Sequence, residues 1–143
     1  MPMTPLITIT TDLGDNFAVS QLKAVVFALG FTGHIIENHD VSSFSIVEGA
    51  YGIWQLSKYC PQNTIHVGIV DPGVGSERNG IVIKTNNFWF VGPDNGLFWE
   101  AASQDNVLQS WKIDENYFGS VSTTFHGRDV FVKIAVLLSE NKY

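Results

Sequence analysis

One cysteine, eight lysines and arginines together, and no apolar run long enough to span a bilayer are the first constraints on this 143-residue sequence. Cys60 has no partner for an internal disulfide, and its neighbours Tyr59 and Pro61 supply no metal or redox motif, so the expected setting is a reducing cytoplasm. The cations never cluster, and a net charge of −6 excludes the basic footprint of a nucleic-acid binder. The opening stretch MPMTPLITIT has no basic region leading into a long apolar segment, which sets the expectation of an untargeted protein with no membrane partner. HExxH, P-loop and GxGxxG signatures are missing, as are repeats, low-complexity tracts and linkers. The composition is that of a globular protein, 45% hydrophobic and 13% aromatic, and predicts one α/β domain over residues 1–143.

The stretch TIHVGIVDPGVGSER, Thr64 to Arg78, organises the rest. Ile65, Val67, Ile69 and Val70 suit a strand buried on both faces, and Asp71 stands at its carboxyl end, where ligands gather in open α/β sheets. Pro72, Gly73 and Gly75 shape a loop that Arg78 closes seven residues after Asp71. Taken alone, the segment reads equally as a tight turn whose Asp caps a backbone amide.

Leu6 to Thr10 reads as a first strand, followed by the loop TTDLGDNF with Asp12 at the strand end. Asp15 or Asn16 caps a helix carrying Phe17, Leu22, Val25, Val26 and Leu29, which Gly30 ends. Ile35 and Ile36 mark a short strand. Ser45 and Glu48 form a capping box for a helix over Ile46 to Lys58, its inner face carrying Val47, Ala50 and Trp54. GIVIKT and FWFVG flank Asn86-Asn87, predicting an antiparallel hairpin with positive φ at its tip that extends a mostly parallel, helix-flanked sheet. GPDNGLF holds Asp94 and Asn95 in another strand-end loop and opens a short helix through Ala102. Val107 to Ile113 predicts a further strand, DENYFGSVSTTFHGRD a long irregular stretch, and Asp129 the cap of a last helix with Phe131, Ile134, Ala135, Leu137 and Leu138.

Asp12, Asp71, Asp94 and the His126, Arg128 and Asp129 group thus fall in loops. Singly, each has a structural role as cap, Asx turn or backbone partner; together, glycine-framed carboxylates with a His and an Arg point to a site. His34, His39 and His66 lack that context and read as structural, and Trp54, Trp89, Trp99 and Trp111 as core or interface. Two chemistries fit: a divalent metal held for hydrolysis by Asp12, Asp71, Asp94 and His126, or an Asp-Arg-His group orienting water without metal. Spacing does not choose between them.

TTDLGDNFAVSQLKAVV, HVGIVDPGVGSER, VGPDNGLF and TFHGRDVF resemble, in order and over nearly the whole chain, the four signature stretches of the S-adenosylmethionine hydroxide adenosyltransferases, or SAM hydrolases. The resemblance implies hydrolysis of S-adenosyl-L-methionine to adenosine and L-methionine by water attacking ribose C5′. S-adenosylmethionine is then the substrate, and no cofactor or metal is implied. The family's water-activating Asp, Arg and His fall on Asp71, Arg78 and His126, its ribose-binding Asp on Asp12, and Asp94 and Asn95 of the third motif are expected to contact substrate. The halogenating relatives of the same fold, the fluorinase and chlorinase, have a Tyr where Asp71 stands. Family members resemble homotrimers with the site between neighbours, and continue into a C-terminal β-rich domain that this chain, stopping at Tyr143, is expected to lack. A catalytically incomplete adenosine-binding or oligomerisation module is therefore the alternative.

Overall fold

The computed structural model describes residues 3–119 and 124–142, and all structural statements concern those residues. Strands β1 (Leu6–Thr11), β2 (His34–Asn38), β3 (Ile65–Ile69), β4 (Gly80–Thr85), β5 (Trp89–Pro93) and β6 (Val107–Lys112) form one sheet in the order β2-β1-β3-β5-β4-β6. β4 alone runs against the others. The mostly parallel sheet with an antiparallel hairpin is the architecture that the alternation of strands and helices predicted.

Helix α1 (Phe17–Ala28) starts where Asn16 accepts a hydrogen bond from the Ala18 N–H at 2.9 Å, and it stops before Gly30 at φ +88°. It shares one face of the sheet with α4 (Val132–Ser139), where Leu22, Val26, Ile134 and Ala135 pack on Ile7, Ile9, Val67 and Val91. Helices α2 (Ile46–Ser57) and α3 (Trp99–Gln104) cover the other face around Ile53, Val70, Phe90 and Leu97. Complete burial of a side chain such as Ile53 contributes about 2 kcal/mol. Gly68 in β3 is needed for this packing: a Cβ there would lie 2.6 Å from Leu97 and 2.8 Å from Phe98.

Four local expectations are corrected. The Ser45 cap forms, its hydroxyl accepting from the Glu48 N–H at 3.2 Å, but α2 buries Gly49, Ile53 and Ser57 and leaves Val47 83% exposed. Gly49 is the reason, since only its bare backbone fits against Leu97 and Val70 and so sets the helix rotation. In α1, Phe17 and Leu29 face outward and only Leu22 and Val26 are fully buried. Asn86 and Asn87 turn the hairpin without positive φ, because the Asp105 carboxylate accepts from the Thr85 hydroxyl and from both N–H groups of Asn87. Asp129 is no cap: it lies inside a π-helical turn, Gly127–Phe131, that leads into α4. Part of the expected irregular stretch, 120–123, lies outside the described residues.

Order and direction together create the site. From β1 the chain crosses by α1 to β2 on one side, and from β3 it passes to the hairpin on the other, so the carboxyl ends of β1 and β3 flank a switch point. Thr11 is in register with Ile69, which brings the loops of Asp12 and Asp71 side by side. No helix among the described residues is long and apolar enough to cross a membrane.

His66 is a titratable side chain buried against the aromatic residues of the α2/α3 layer. Its ring is fully buried, stacked on Phe90, with Nδ1 2.7 Å from the Thr8 hydroxyl and no hydrogen-bond partner for Nε2 among the described residues. Burial pushes its pKa from 6.5 down to about 4, the Asp105 charge opposing part of that shift. The unfolded chain therefore binds a proton that the folded one refuses, so stability present above pH 6.5 is lost as pH falls towards about 4. His66→Gln should flatten the pH dependence of the melting temperature in this window, by on the order of 3 kcal/mol at its acid end. Identical slopes for parent and variant melts would show that His66 does not titrate there.

Candidate active site

Arg78 holds the centre of the site. Its Nε donates to Asp71 Oδ1 at 3.0 Å and Oδ2 at 3.2 Å, and its Nη2 to Asp71 Oδ2 at 2.5 Å. Nη1 donates to Glu115 Oε1, and Nη2 also lies 3.0 Å from His126 Nδ1. The guanidinium carbon stands 5.3 Å from the centre of the Phe131 ring, to which His126 turns edge-on. Burial opposes the arginine charge, but the bonds and charges of Asp71 and Glu115 outweigh it and raise its pKa above the ordinary value.

Local sequence explains the convergence. Asp71 follows the fully buried β3, and the turn after it is closed by Val74 N–H to Asp71 O at 3.2 Å and Ser76 N–H to Gly73 O at 3.0 Å, returning the chain so that Arg78 faces Asp71. His126 arrives from the other end of the chain. Gly127 seats its backbone against β3, where a Cβ would lie 2.7 Å from Ile69, so the preceding His126 is pressed towards the strand end. The π-helical turn that follows is a geometry found often at functional sites.

An arginine only donates, so the 3.0 Å contact uses the lone pair of His126 Nδ1 and leaves the imidazole proton on Nε2. His126 and Asp71 line a cavity of ≈ 120 Å³ together with Asp12, Phe44, Ile69 and Val74. That volume holds several waters or the reacting end of a larger molecule. Asp12 Oδ2 accepts from the Phe44 N–H at 2.7 Å, and Phe44 takes φ +60°, a strained conformation for an aromatic residue that such an anchor sustains.

Of the residues singled out from the sequence, Asp12, Asp71 and His126 share this cavity, and Arg78 binds two of them from behind. Asp94 and Asn95 do not line it. Asn95 donates to the Val70 carbonyl at 3.0 Å and accepts from the Leu97 N–H, tying the β5 loop to the end of β3, while Asp94 is exposed on a separate hollow beside Trp99. Arg128 and Asp129 pair with each other at 2.7 Å, with Arg128 reaching Gln21 of α1, and so part from His126. Among the described residues no three His, Cys, Asp or Glu side chains converge as a metal site would require.

Glu115 and Phe44 are the participants that pattern reading missed. Glu115 lies in the irregular DENYFG segment just past the end of β6, and the length of that segment was its only signal.

Residues 7–143 match the family described as the SAM hydroxide adenosyltransferase N-terminal domain. A Methanocaldococcus jannaschii protein named (R)-S-adenosyl-L-methionine hydrolase is 39% identical over 146 residues, covering 96% of this chain and 55% of that protein. One of the same name from Salinispora arenicola is 38% identical, covering 97% and 55%. Among solved structures, an uncharacterized conserved protein from Thermotoga maritima superposes with a TM-score of 0.90 at 32% identity, over 94% of this chain and 53% of that one. The chain spans about half the length of the curated relatives it matches.

Removing Arg78 strands two carboxylates. Arg78→Ala should therefore cost about 3 to 5 kcal/mol in urea denaturation, the range for breaking a buried ion pair from one side. Arg78→Lys should fall between it and the parent, because an ammonium keeps the charge but cannot reach all three partners. Parent stability in the alanine variant would mean that the pairing is solvated and weak.

Proposed function

The chain belongs to the SAM hydroxide adenosyltransferase family through its N-terminal domain, and from that premise we propose that it hydrolyses S-adenosyl-L-methionine to adenosine and L-methionine. The observation that carries the reading is the Asp71–Arg78–His126 group set against a cavity that also contains Asp12. Water attacks ribose C5′ in line with the sulfonium. The C5′–O bond forms as the C5′–S bond breaks, the bonding pair becomes a thioether lone pair, and the water proton passes to Asp71 and on to solvent. The leaving group departs neutral, so no general acid is needed, and the reaction runs without metal.

Each residue has a task that its geometry supports. Asp71 faces the cavity with a carboxylate held from behind by Arg78, fixed to accept the proton. His126 offers Nε2–H to the water oxygen as it gains hydroxide character. The apolar wall of Leu13, Phe44, Ile69 and Val74 hydrates the sulfonium poorly and so disfavours the cation relative to its neutral product. Asp12 has one oxygen on the Phe44 N–H, and the other, with no hydrogen bond among the described residues, is available to ribose hydroxyls. Asn95 contributes by tying the neighbouring loop to the end of β3 through the Val70 carbonyl, and Asp94 stays outside the cavity on its separate hollow.

The ≈ 120 Å³ cavity is too small to enclose a nucleoside, and in the proposed complex a further surface covers the adenine. We assign that surface to a further domain or a neighbouring subunit of a homotrimer. The small volume of the cavity also fits a second reading, a module that binds adenosine or a partner subunit without turnover. Calorimetry with adenosine and chromatography of S-adenosylmethionine reactions separate the two: binding without hydrolysis supports the module. Absence of adenosine above the nonenzymatic background, in a longer form carrying the second domain, would remove the hydrolase.

Asp71→Asn keeps size and loses charge, so steady-state turnover should drop roughly 100-fold or more while the melt stays cooperative. Asp12→Asn should chiefly raise KM. An Asp71→Asn protein with parental kcat would leave Asp71 as a turn residue.

A further inference from the structure

Glu115 stands where the sequence reading placed no functional residue, and it meets the group at Arg78 and beside His126. Its Oε1 accepts from Arg78 Nη1 and lies 3.6 Å from His126 Nδ1. Its side chain is 22% exposed, against 10% for Arg78, 6% for Asp71 and 7% for His126, so it closes the buried group on the solvent side. Beyond it a polar cleft carries Glu77, Lys112 and Asp114.

The distances decide between two arrangements of the histidine. In one, Nδ1 carries the proton and donates it to Glu115, leaving Nε2 as a bare acceptor. In the other, Arg78 Nη2 donates to Nδ1 and the proton sits on Nε2. At 3.6 Å the first bond is out of range, while at 3.0 Å the second is made. Glu115 is what favours the second. With Nη1 engaged by the carboxylate, the guanidinium plane is fixed at one end, and its remaining N–H groups meet Asp71 and His126. Gly80 gives the room: a Cβ there would lie 3.0 Å from both Glu115 Oε1 and the Phe131 ring.

We propose that Glu115 is a positioning residue that, by holding Arg78 Nη1, aims Arg78 at His126 and keeps the His126 proton on Nε2. The proposal rests on the hydrolase reading only for its kinetic consequence. Charged and titratable groups facing His126 are Asp71 from the β3 loop, Arg78 from the turn before β4, Glu115 from the segment after β6, and Asp12 across the cavity.

Nitrogen-15 NMR of the histidine-labelled chain tests it without substrate. The parent should show His126 as a single Nε2–H tautomer at neutral pH. Glu115→Ala should mix the tautomers, whereas Glu115→Gln, whose amide oxygen still accepts from Nη1, should restore one. In steady-state kinetics Glu115→Ala should lower kcat by roughly tenfold or more with KM little changed, a loss typical of misplaced catalytic groups, and the Gln variant should recover most of it. A single Nε2–H tautomer in folded Glu115→Ala, or parental kcat in that variant, would overturn the proposal. Should the longer form carrying the second domain turn over no S-adenosylmethionine, the hydrolase reading fails while the tautomer measurement still judges Glu115.

Discussion

The guanidinium of Arg78 is the constraint on which the site depends. It is nine-tenths buried, and removing such a charge from water costs several kcal/mol unless its donors are used and its charge is met. Two carboxylates and an imidazole nitrogen meet that demand, drawn from the loop after β3, the segment after β6 and the turn before α4. Because a guanidinium is planar and its donors diverge in fixed directions, satisfying them also fixes where the three partners stand. Stability and alignment therefore rest on the same set of bonds.

The sheet makes that meeting possible. A parallel sheet that reverses its winding between β1 and β3 leaves two carboxyl-end loops next to each other, and the cavity lies between them. Gly68 lets the Leu97 and Phe98 side chains, and Gly127 lets the histidine turn, pack on β3 more closely than a Cβ would permit. Close packing on both faces seats the end of β3, from which Asp71 enters the cavity.

Much of this was legible from residue order alone. All six strands and four helices follow from apolar runs, caps and breakers: Asn16 and Ser45 start helices as expected, and the hairpin forms around Asn86-Asn87. The failures are of one kind. Val47 was assigned to an inner face, yet α2 rolls until Gly49 meets Leu97, which no periodicity within the helix reveals. Asp129 looked like a cap, yet the chain begins its helical turn earlier, at Gly127, because that glycine must pack on Ile69. Asn87 needed no positive φ, since Asp105, 18 residues away, stabilises the turn from outside.

For the site, the sequence by itself determined the chemical inventory and the strand ends that carry it: Asp12 after β1, Asp71 after β3, and a histidine ahead of the last helix. These are local properties, written in short stretches of glycine, proline and β-branched residues. Only the tertiary structure decided which of those residues share a cavity, that Arg128 and Asp129 pair away from it, and that Asn95 serves the backbone of Val70. It also brought Glu115, 37 residues from Arg78, onto the guanidinium that contacts His126. A hydrogen bond between distant segments depends on side-chain directions that the folded backbone imposes, and no spacing within the sequence encodes them.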